Sequence, residues 1–236
     1  MKSSSYISAL ILAAGITLLG LFIYLGFAKF SDRDRSVSVR GLAEREVKAD
    51  HVVWPVRYKI TGNDLHTLYT EISEKNERIV SYLKQNGIPD TDISMAAPKI
   101  NDRQAEMYTD YNAMKDRYYV TSVITVSSKK VDEVRQLTNR TGELLKQGIA
   151  VLPGDYDESS ITYEFTGLNK VKPEMIEEAT KNARNAAEKF AKDSGSSIGK
   201  IKNARQGLFE ISNRDQFTPY IKKIRVVTNV DYYLES

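Results

Sequence analysis

The sequence predicts an α+β protein, with mixed or antiparallel sheets covered by helices, after an N-terminal transmembrane helix. Three observations support this class: a long uncharged stretch near the amino terminus, several segments in which apolar and polar residues alternate, and three segments with apolar residues at helical spacing. Paired strands separated by helices indicate sheets that are not uniformly parallel. The predicted order after the first helix is β-β-α-β-β-α-β-α-β-β.

The N-terminal stretch has no charged residue between Tyr6 and Ala28. As a helix it would span about 34 Å at 1.5 Å per residue, which matches the hydrocarbon core of a bilayer. A cleaved secretory signal is the alternative, because Lys2 supplies a basic start and Gly26-Phe27-Ala28 supplies small residues at a cleavage position. The stretch is longer than the apolar part of an ordinary signal, so we expect an uncleaved anchor.

Three regions follow from this interpretation: residues 1–30 form the anchor or uncleaved signal, residues 31–36 a polar linker, and residues 37–235 one domain. The chain has a formal net charge of +3, and most of this excess lies before residue 36. The domain therefore offers no basic surface for nucleic acid. Cysteine is absent, which excludes disulfides, thiolate metal sites and a cysteine nucleophile.

Two strands begin the predicted domain. In the first, Val37 and Val39 alternate with polar residues up to Gly41. In the second, alternate residues are apolar and predict one buried face: Val52, Trp54, Val56, Tyr58 and Ile60. Pro55 cannot donate to a sheet ladder, so it predicts that the second strand is an edge strand or is bulged there.

A helix follows, with Gly62-Asn63-Asp64 at its start and Gly87 at its end. One stripe is apolar and predicts the buried face: Leu65, Leu68, Tyr69, Ile72, Ile79, Val80 and Leu83. Asn76 lies within this stripe. Since an unpaired buried amide costs about 1–3 kcal/mol, we expect Asn76 to hydrogen-bond a nearby backbone group, with a ligand or register contact as the alternative.

The remaining elements are predicted from the same periodicities. They are strands at 93–100 and 118–128, a helix at 131–147, strand segments at 149–152 and 161–166 that count as one element, a helix from Pro173 to Gly195, and strands at 201–211 and 224–234. In the last helix one face is rich in alanine, which allows a close approach to another backbone: Met175, Ile176, Ala179, Ala183, Ala186, Ala187, Phe190 and Ala191.

The sequence shows no catalytic, cofactor-binding or metal-binding constellation. His51 and His66 are the two histidines, and they lie on different predicted elements without the short spacing of a metal motif. The acidic run of Asp155, Asp157 and Glu158 lacks the ordered ligand spacing of a calcium loop. Phosphate-binding, dinucleotide-binding and nucleophile-elbow motifs are also absent. We therefore expect no cofactor, no metal and no enzymatic activity.

The motifs of the domain resemble those of the SIMPL-domain family of bacterial periplasmic proteins. Val37-Ser38-Val39-Arg40-Gly41 is similar to the family's V-x-V-x-G strand, and the Gly87-Ile88 to Asp92-Ile93 segment resembles its helix-to-strand connection. The repeated-alanine helix and the glycine-bearing turn after it complete the resemblance: Ala179, Ala183, Ala187, Ala191, Gly195 and Gly199. Ala49-Asp50 departs from the family's usual Pro-Asp.

The resemblance implies an extracytoplasmic location, commonly periplasmic, with some members forming ring-like or channel-like oligomers and others linked to oxidative stress. It supplies no catalytic residues. Lys29, Arg33 and Arg35 after the span favour a cytoplasmic domain by the positive-inside rule. The family implication outweighs this charge signal, so we expect a single-pass protein of the bacterial inner membrane with its domain in the periplasm.

Two functions remain open from the sequence. The first is a membrane-anchored interaction and oligomerisation module, self-associating through sheet edges or the alanine-rich helix and contributing to stress tolerance in the envelope. Its protein partners, other than a second copy, are not indicated. The alternative is a periplasmic ligand-binding protein or enzyme with an aromatic-lined pocket formed by Trp54, Tyr108, Tyr111 and Tyr118.

Overall fold

The computed structural model describes residues 12–25, 35–105, 115–152 and 160–235. These residues form an α+β structure with two antiparallel sheets and five α-helices. After the first helix the order is β-β-α-β-β-β-α-α-β-α-β-β-β. The chain divides into two compact units, which are described one at a time.

The transmembrane helix expected over Tyr6 to Ala28 is wrong. The described N-terminal helix, α1, spans residues 12–25. The residues of the expected span before Leu12 and after Leu25 lie outside the described ranges. No helix in the described ranges is long and apolar enough to cross a membrane. The small residues at 26–28 and most of the expected linker lie outside these ranges.

One unit comprises Glu46–Leu168 and Ile211–Lys223. Its sheet has the order β3-β5-β2-β6, and β4 also pairs with β5. The strands are β2 (His51–Gly62), β3 (Ile93–Met95), β4 (Lys99–Asp102), β5 (Tyr118–Ser128) and β6 (Thr162–Glu164). The helices are α2 (Leu65–Gln85), α3 (Val131–Thr138) and α4 (Gly142–Lys146). Most of the core of this unit lies between the sheet and these helices.

Strand β2 supplies the centre of this core. The alternation predicted for its buried face is confirmed for Val52, Trp54, Val56, Tyr58 and Ile60. The prediction that Pro55 marks an edge strand or a bulge is wrong, because β2 lies between β5 and β6 and its register with β5 is continuous from Val52 to Gly62. Strand β6 reaches only residues 51–53 of β2, so the missing donor of Pro55 falls beyond it.

Helix α2 begins and ends as its flanking residues predict. The Asp64 carboxylate accepts the Thr67 N–H at 2.7 Å as an N-cap, and Gly87 takes a φ of 89° after the last turn. Leu68, Ile72, Ile79 and Leu83 are buried as expected. Leu65, the first residue of α2, and Tyr69 are exposed instead, Tyr69 by 70%, whereas Leu68 between them is buried.

Several predicted boundaries differ from the structure. The strand at 93–100 is two short strands, β3 and β4, because Pro98 between them has no N–H to donate. The helix at 131–147 is divided into α3 and α4 by a turn at residues 139–141. Val151 forms only an isolated bridge with Tyr58 rather than part of a strand.

The other unit comprises Met1–Arg45, Asn169–Glu210 and Ile224–Ser236. Its sheet has the order β1-β9-β7, and β8 also pairs with β9. The elements are β1 (Ser36–Lys48), α5 (Leu168–Asp193), β7 (Ser197–Gln206) and β9 (Ile221–Glu235). Residues 46–48 of β1, residues 221–223 of β9 and most of β8 (Glu210–Asn213) belong to the first unit. Helix α5 begins five residues before Pro173, which lies inside the helix rather than at its first position.

The alanine face of α5 packs against the sheet. Five residues of this face are at most 1% exposed: Met175, Ala179, Ala183, Ala187 and Ala191. The helix lies so close to β1 that a Cβ on Gly41 would be 1.8 Å from the carbonyl oxygen of Ala179. Phe190 was expected on this buried face but is 62% exposed. The alanines are therefore enclosed within one unit and are not a surface for a second copy.

Candidate functional site

The residues predicted to line an aromatic pocket are not brought together. Trp54 is a core residue opposite Val126, whereas Tyr118 lies opposite Gly62 at the far end of the same strand pair. Eight residues of β2 separate these positions, which is about 27 Å of extended chain. Tyr108 and Tyr111 lie outside the described residues. Trp54 and Tyr118 therefore cannot line one small pocket.

The candidate metal ligands are also dispersed. His51 begins β2, and His66 is an exposed residue of the first turn of α2. Asp155, Asp157 and Glu158 lie outside the described residues. Within the described ranges, no three His, Asp or Glu side chains come close enough together to hold a metal ion.

A polar arrangement that the sequence did not predict crosses three strands. Ser127 Oγ on β5 lies 3.2 Å from His51 Nε2, and Glu164 Oε2 on β6 lies 3.5 Å from His51 Nδ1. This is the order of groups in a serine nucleophile with its base and carboxylate. A nucleophile also needs hydrogen-bond donors for the oxyanion, and Ser127 and Glu164 are exposed residues of strands. We interpret the arrangement as a cross-strand contact.

Asn76 and two hydroxyl side chains form a polar cluster between α2 and the sheet. Asn76 Oδ1 accepts hydrogen bonds from Tyr58 Oη at 2.8 Å and from Ser122 Oγ at 2.9 Å. The partners of Asn76 are thus two side chains rather than the expected backbone group. Burial raises the pKa of the Tyr58 phenol, so it remains protonated and able to donate. The cluster joins α2 to β2 and β5.

The outer edge of β1 is the most accessible recognition feature of its unit. Strand β1 is at one end of the sheet, and no described strand pairs with its outer side. The Arg35 carbonyl accepts from the Leu234 N–H, so odd-numbered residues of β1 direct their backbone groups toward β9 and even-numbered residues direct theirs outward. Consistent with this, the Leu42 carbonyl accepts from Asn182 Nδ2 at 2.9 Å on the outer side.

The exposed side chains at the centre of β1 place an apolar residue between a positive and a negative charge. Arg40, Leu42 and Glu44 are exposed on the face away from α5, with Leu42 40% exposed between the two opposite charges. Glu44 also lies 3.7 Å from Arg225 on β9. The strand is 13 residues long and contains no proline. It therefore combines unpaired backbone groups with an apolar centre and flanking charges.

The opposite edge of the sheet has a different character. Strand β7 carries Lys200, Lys202 and Arg205 and no acidic residue between Ser197 and Gln206. Its pairing with β9 is also interrupted by two register shifts. Clustered cations and irregular register both disfavour pairing with an identical strand. Of the two ends of this sheet, β1 is the better suited to self-association.

The exposed face of the sheet is held together by Asp231. Its carboxylate on β9 accepts from Ser38 Oγ on β1 and from Asn203 Nδ2 on β7, the latter at 3.2 Å. The hydrogen bond from Ser38, with a smaller contribution from Asn203, lowers the pKa of Asp231. Asp231 therefore connects the three strands from β1 to β7.

Comparison with known proteins identifies a family but no residue roles. The model of the SIMPL family, described as a protein of unknown function (DUF541), matches residues 37–225. The match covers β1 from Val37, the whole sheet with order β3-β5-β2-β6, α5, β7 and β8, and the first five residues of β9. No curated protein matches the chain.

Proposed function

Because this chain belongs to the SIMPL family, we propose that it is a non-enzymatic, extracytoplasmic module that self-associates through the outer edge of β1. A contribution to stress tolerance of the bacterial envelope is part of this proposal and rests on the family resemblance. The observation that carries the self-association is the open edge of β1, whose outward backbone groups have no partner strand in the described part of the chain. Such an edge is a template for another strand.

The charge order of β1 is complementary to itself when two copies run antiparallel. If the twofold axis passes at Leu42, the two Leu42 side chains are opposite each other and Arg40 of each copy is opposite Glu44 of the other. Leu42 is also the midpoint of β1, so the strands pair from Ser36 to Lys48 without overhang. Opposite charges and apolar side chains facing across strands each contribute about 0.2–1 kcal/mol.

Neighbouring registers are less favourable. An axis at Arg40 or at Glu44 places like charges opposite each other. An axis at Gly41 or Ala43 places Leu42 opposite a charged side chain. The Leu42 carbonyl can still accept from the second copy, because Asn182 uses one of its two lone pairs. The register centred on Leu42 is therefore the one that we propose.

The first test is the mass of the full chain by light scattering at micromolar concentration. We expect wild type to be a dimer or larger assembly, Arg40→Glu to be mostly monomeric, and the charge exchange R40E/E44R to associate again. Arg40→Glu places two pairs of like charges across the axis, and the exchange restores opposite charges. A monomeric wild type, or an Arg40→Glu variant as associated as wild type, would contradict the proposal.

The absence of cysteine allows a second test of the register. In the proposed dimer the Cα atoms of the two Leu42 residues are about 5.5 Å apart, within the range that a disulfide spans. We expect Leu42→Cys to give a covalent dimer under mild oxidation. Ser38→Cys is the matched control, since two Ser38 residues would be about 27 Å apart. Equal cross-linking of both variants would rule out this register.

The cellular part of the proposal has its own measurement. A fusion of the chain to an enzyme that is active only outside the cytoplasm should be active. Deletion of the gene should lower survival after oxidant treatment, and R40E/E44R should restore survival better than Arg40→Glu alone. If both variants restore survival equally, stress tolerance does not depend on self-association, and this part of the proposal is wrong.

A further inference from the structure

A groove with a volume of about 650 Å³ lies between α5 and β7 within one unit. Its floor is apolar and consists of Ile198, Ile201 and Tyr232. The groove exists because the alanine face of α5 packs mainly against β1 and β9, as in the cluster of Val39, Ala183 and Val230, and covers β7 only in part, at Ile198. Ile201 is consequently 52% exposed.

The rim of the groove is positively charged. Lys181 and Arg184 project from α5 and Lys200 from β7, against one acidic residue, Glu177, among the described residues that line it. Arg184 forms an ion pair with Glu188, with 3.0 Å between Arg184 Nε and Glu188 Oε1, which partly neutralises its charge. Farther along β7, Lys202 contacts the Tyr233 ring and lies with Arg205 near Asp231 on the opposite face of the sheet, so neither belongs to this rim. The groove thus combines an apolar floor with a cationic rim.

Shape and charge together limit what can occupy this groove. Its volume is within the range of ligand sites, and its apolar residues lie between a helix and a strand. A second β7 is disfavoured because it carries the same positive charges. An extended chain with carboxylates on one side and apolar side chains on the other meets both the rim and the floor.

We propose that the groove between α5 and β7 binds an extended acidic peptide segment of a partner protein, in which apolar residues alternate with Asp or Glu. The apolar side chains contact Ile198, Ile201 and Tyr232, and the carboxylates lie near Lys181 and Lys200. This site is on the opposite end of the sheet from β1. It therefore goes beyond the proposed self-association and does not depend on it.

The test is fluorescence anisotropy with the full chain and a fluorescein-labelled peptide of eight residues in which Glu and Leu alternate. We expect saturable binding that weakens as salt is raised. The double variant K181E/K200E should lower the affinity by about tenfold or more, because two attractions become repulsions. The matched control is K189E/K192E on α5 away from this groove, which should change the affinity less than about twofold.

Two further measurements separate the apolar and electrostatic contributions. Ile201→Ser should weaken binding by about threefold or more without changing its salt dependence. A peptide in which Lys and Leu alternate should not bind. The proposal is overturned if the acidic peptide does not bind, if both double variants weaken binding equally, or if vesicles of phosphatidylglycerol displace the peptide in a manner that depends on Lys181 and Lys200.

Discussion

At the scale of single residues, Asn76 determines how α2 is held against its sheet. Its amide oxygen accepts from Tyr58 and Ser122, and Ser122 is fully buried. Tyr58 Oη also lies 3.2 Å from the Ile72 carbonyl, so it retains an acceptor if Asn76 is removed. Ser122 has no such second acceptor among its described contacts. Removal of Asn76 therefore destabilises the fold mainly because the Ser122 hydroxyl is left without an acceptor.

We predict that Asn76→Ala lowers the free energy of unfolding by about 1–3 kcal/mol, because the buried Ser122 hydroxyl loses its acceptor. Urea denaturation monitored by circular dichroism measures the change. Asn185→Ala, at an exposed position of α5, is the control and should change the free energy by less than about 0.5 kcal/mol. A similar small change for Asn76→Ala would show that the hydrogen bonds do not stabilise the fold.

A second prediction at this scale concerns pH and Asp231. Its pKa is lowered in the folded state, so it stabilises the fold above about pH 4, the unfolded pKa, and this stabilisation is lost as pH falls through the folded pKa. Asp231→Asn should therefore be less stable than wild type at pH 6, with a smaller difference at pH 2.5. Urea denaturation at both pH values measures this.

The control for Asp231 is removal of the principal donor. Ser38→Ala should reduce the same pH dependence, because the hydrogen bond from Ser38 is the largest cause of the lowered pKa. A difference between wild type and Asp231→Asn that is the same at both pH values would contradict the assignment.

At the scale of elements, the contact of α5 with β1 depends on two kinds of small residue. The alanines of α5 bring its backbone close to the sheet, and Gly41 on β1 accommodates that backbone. A Cβ at Gly41 would lie 1.8 Å from the Ala179 carbonyl oxygen and 2.5 Å from the Ala183 nitrogen. Backbone atoms of a helix cannot shift by the amount that such a contact would require.

We predict that Gly41→Ala destabilises the unit containing α5 by about 3 kcal/mol or more, through this overlap. Gly142→Ala is the matched control, because a Cβ there has no described atom within 4 Å and alanine favours the helix. Thermal and urea unfolding of both variants measure the effect. If Gly41→Ala costs less than about 1 kcal/mol, α5 does not pack as closely as described.

At the scale of the whole molecule, the two ends of the sheet with order β1-β9-β7 have different chemistry. The β1 end is self-complementary in charge, and the β7 end is uniformly basic beside an apolar groove. The proposed self-association uses the β1 end, and the proposed binding of an acidic peptide uses the β7 end.

Self-association predicts that the midpoint of thermal unfolding depends on protein concentration. For the wild-type chain we expect an increase of about 1–3 °C for each tenfold increase in concentration. Arg40→Glu should remove this dependence, and R40E/E44R should restore it. Differential scanning calorimetry at three concentrations measures the midpoint, and a constant midpoint for wild type would argue against association through folded chains.

The sequence by itself determined the family, the long helix α2 with its caps, and the buried faces of β2 and α5, because these depend on local periodicity and on residues near each element. The order of the strands, their register and the element that packs on each face of a sheet depend on contacts between residues distant in sequence. Only the tertiary structure decided them. It made β2 an internal strand despite Pro55 and exposed Tyr69 and Phe190, and no helix of the described residues is long and apolar enough to cross a membrane. It also left the edge of β1 open and formed the groove beside β7, which no local pattern specifies.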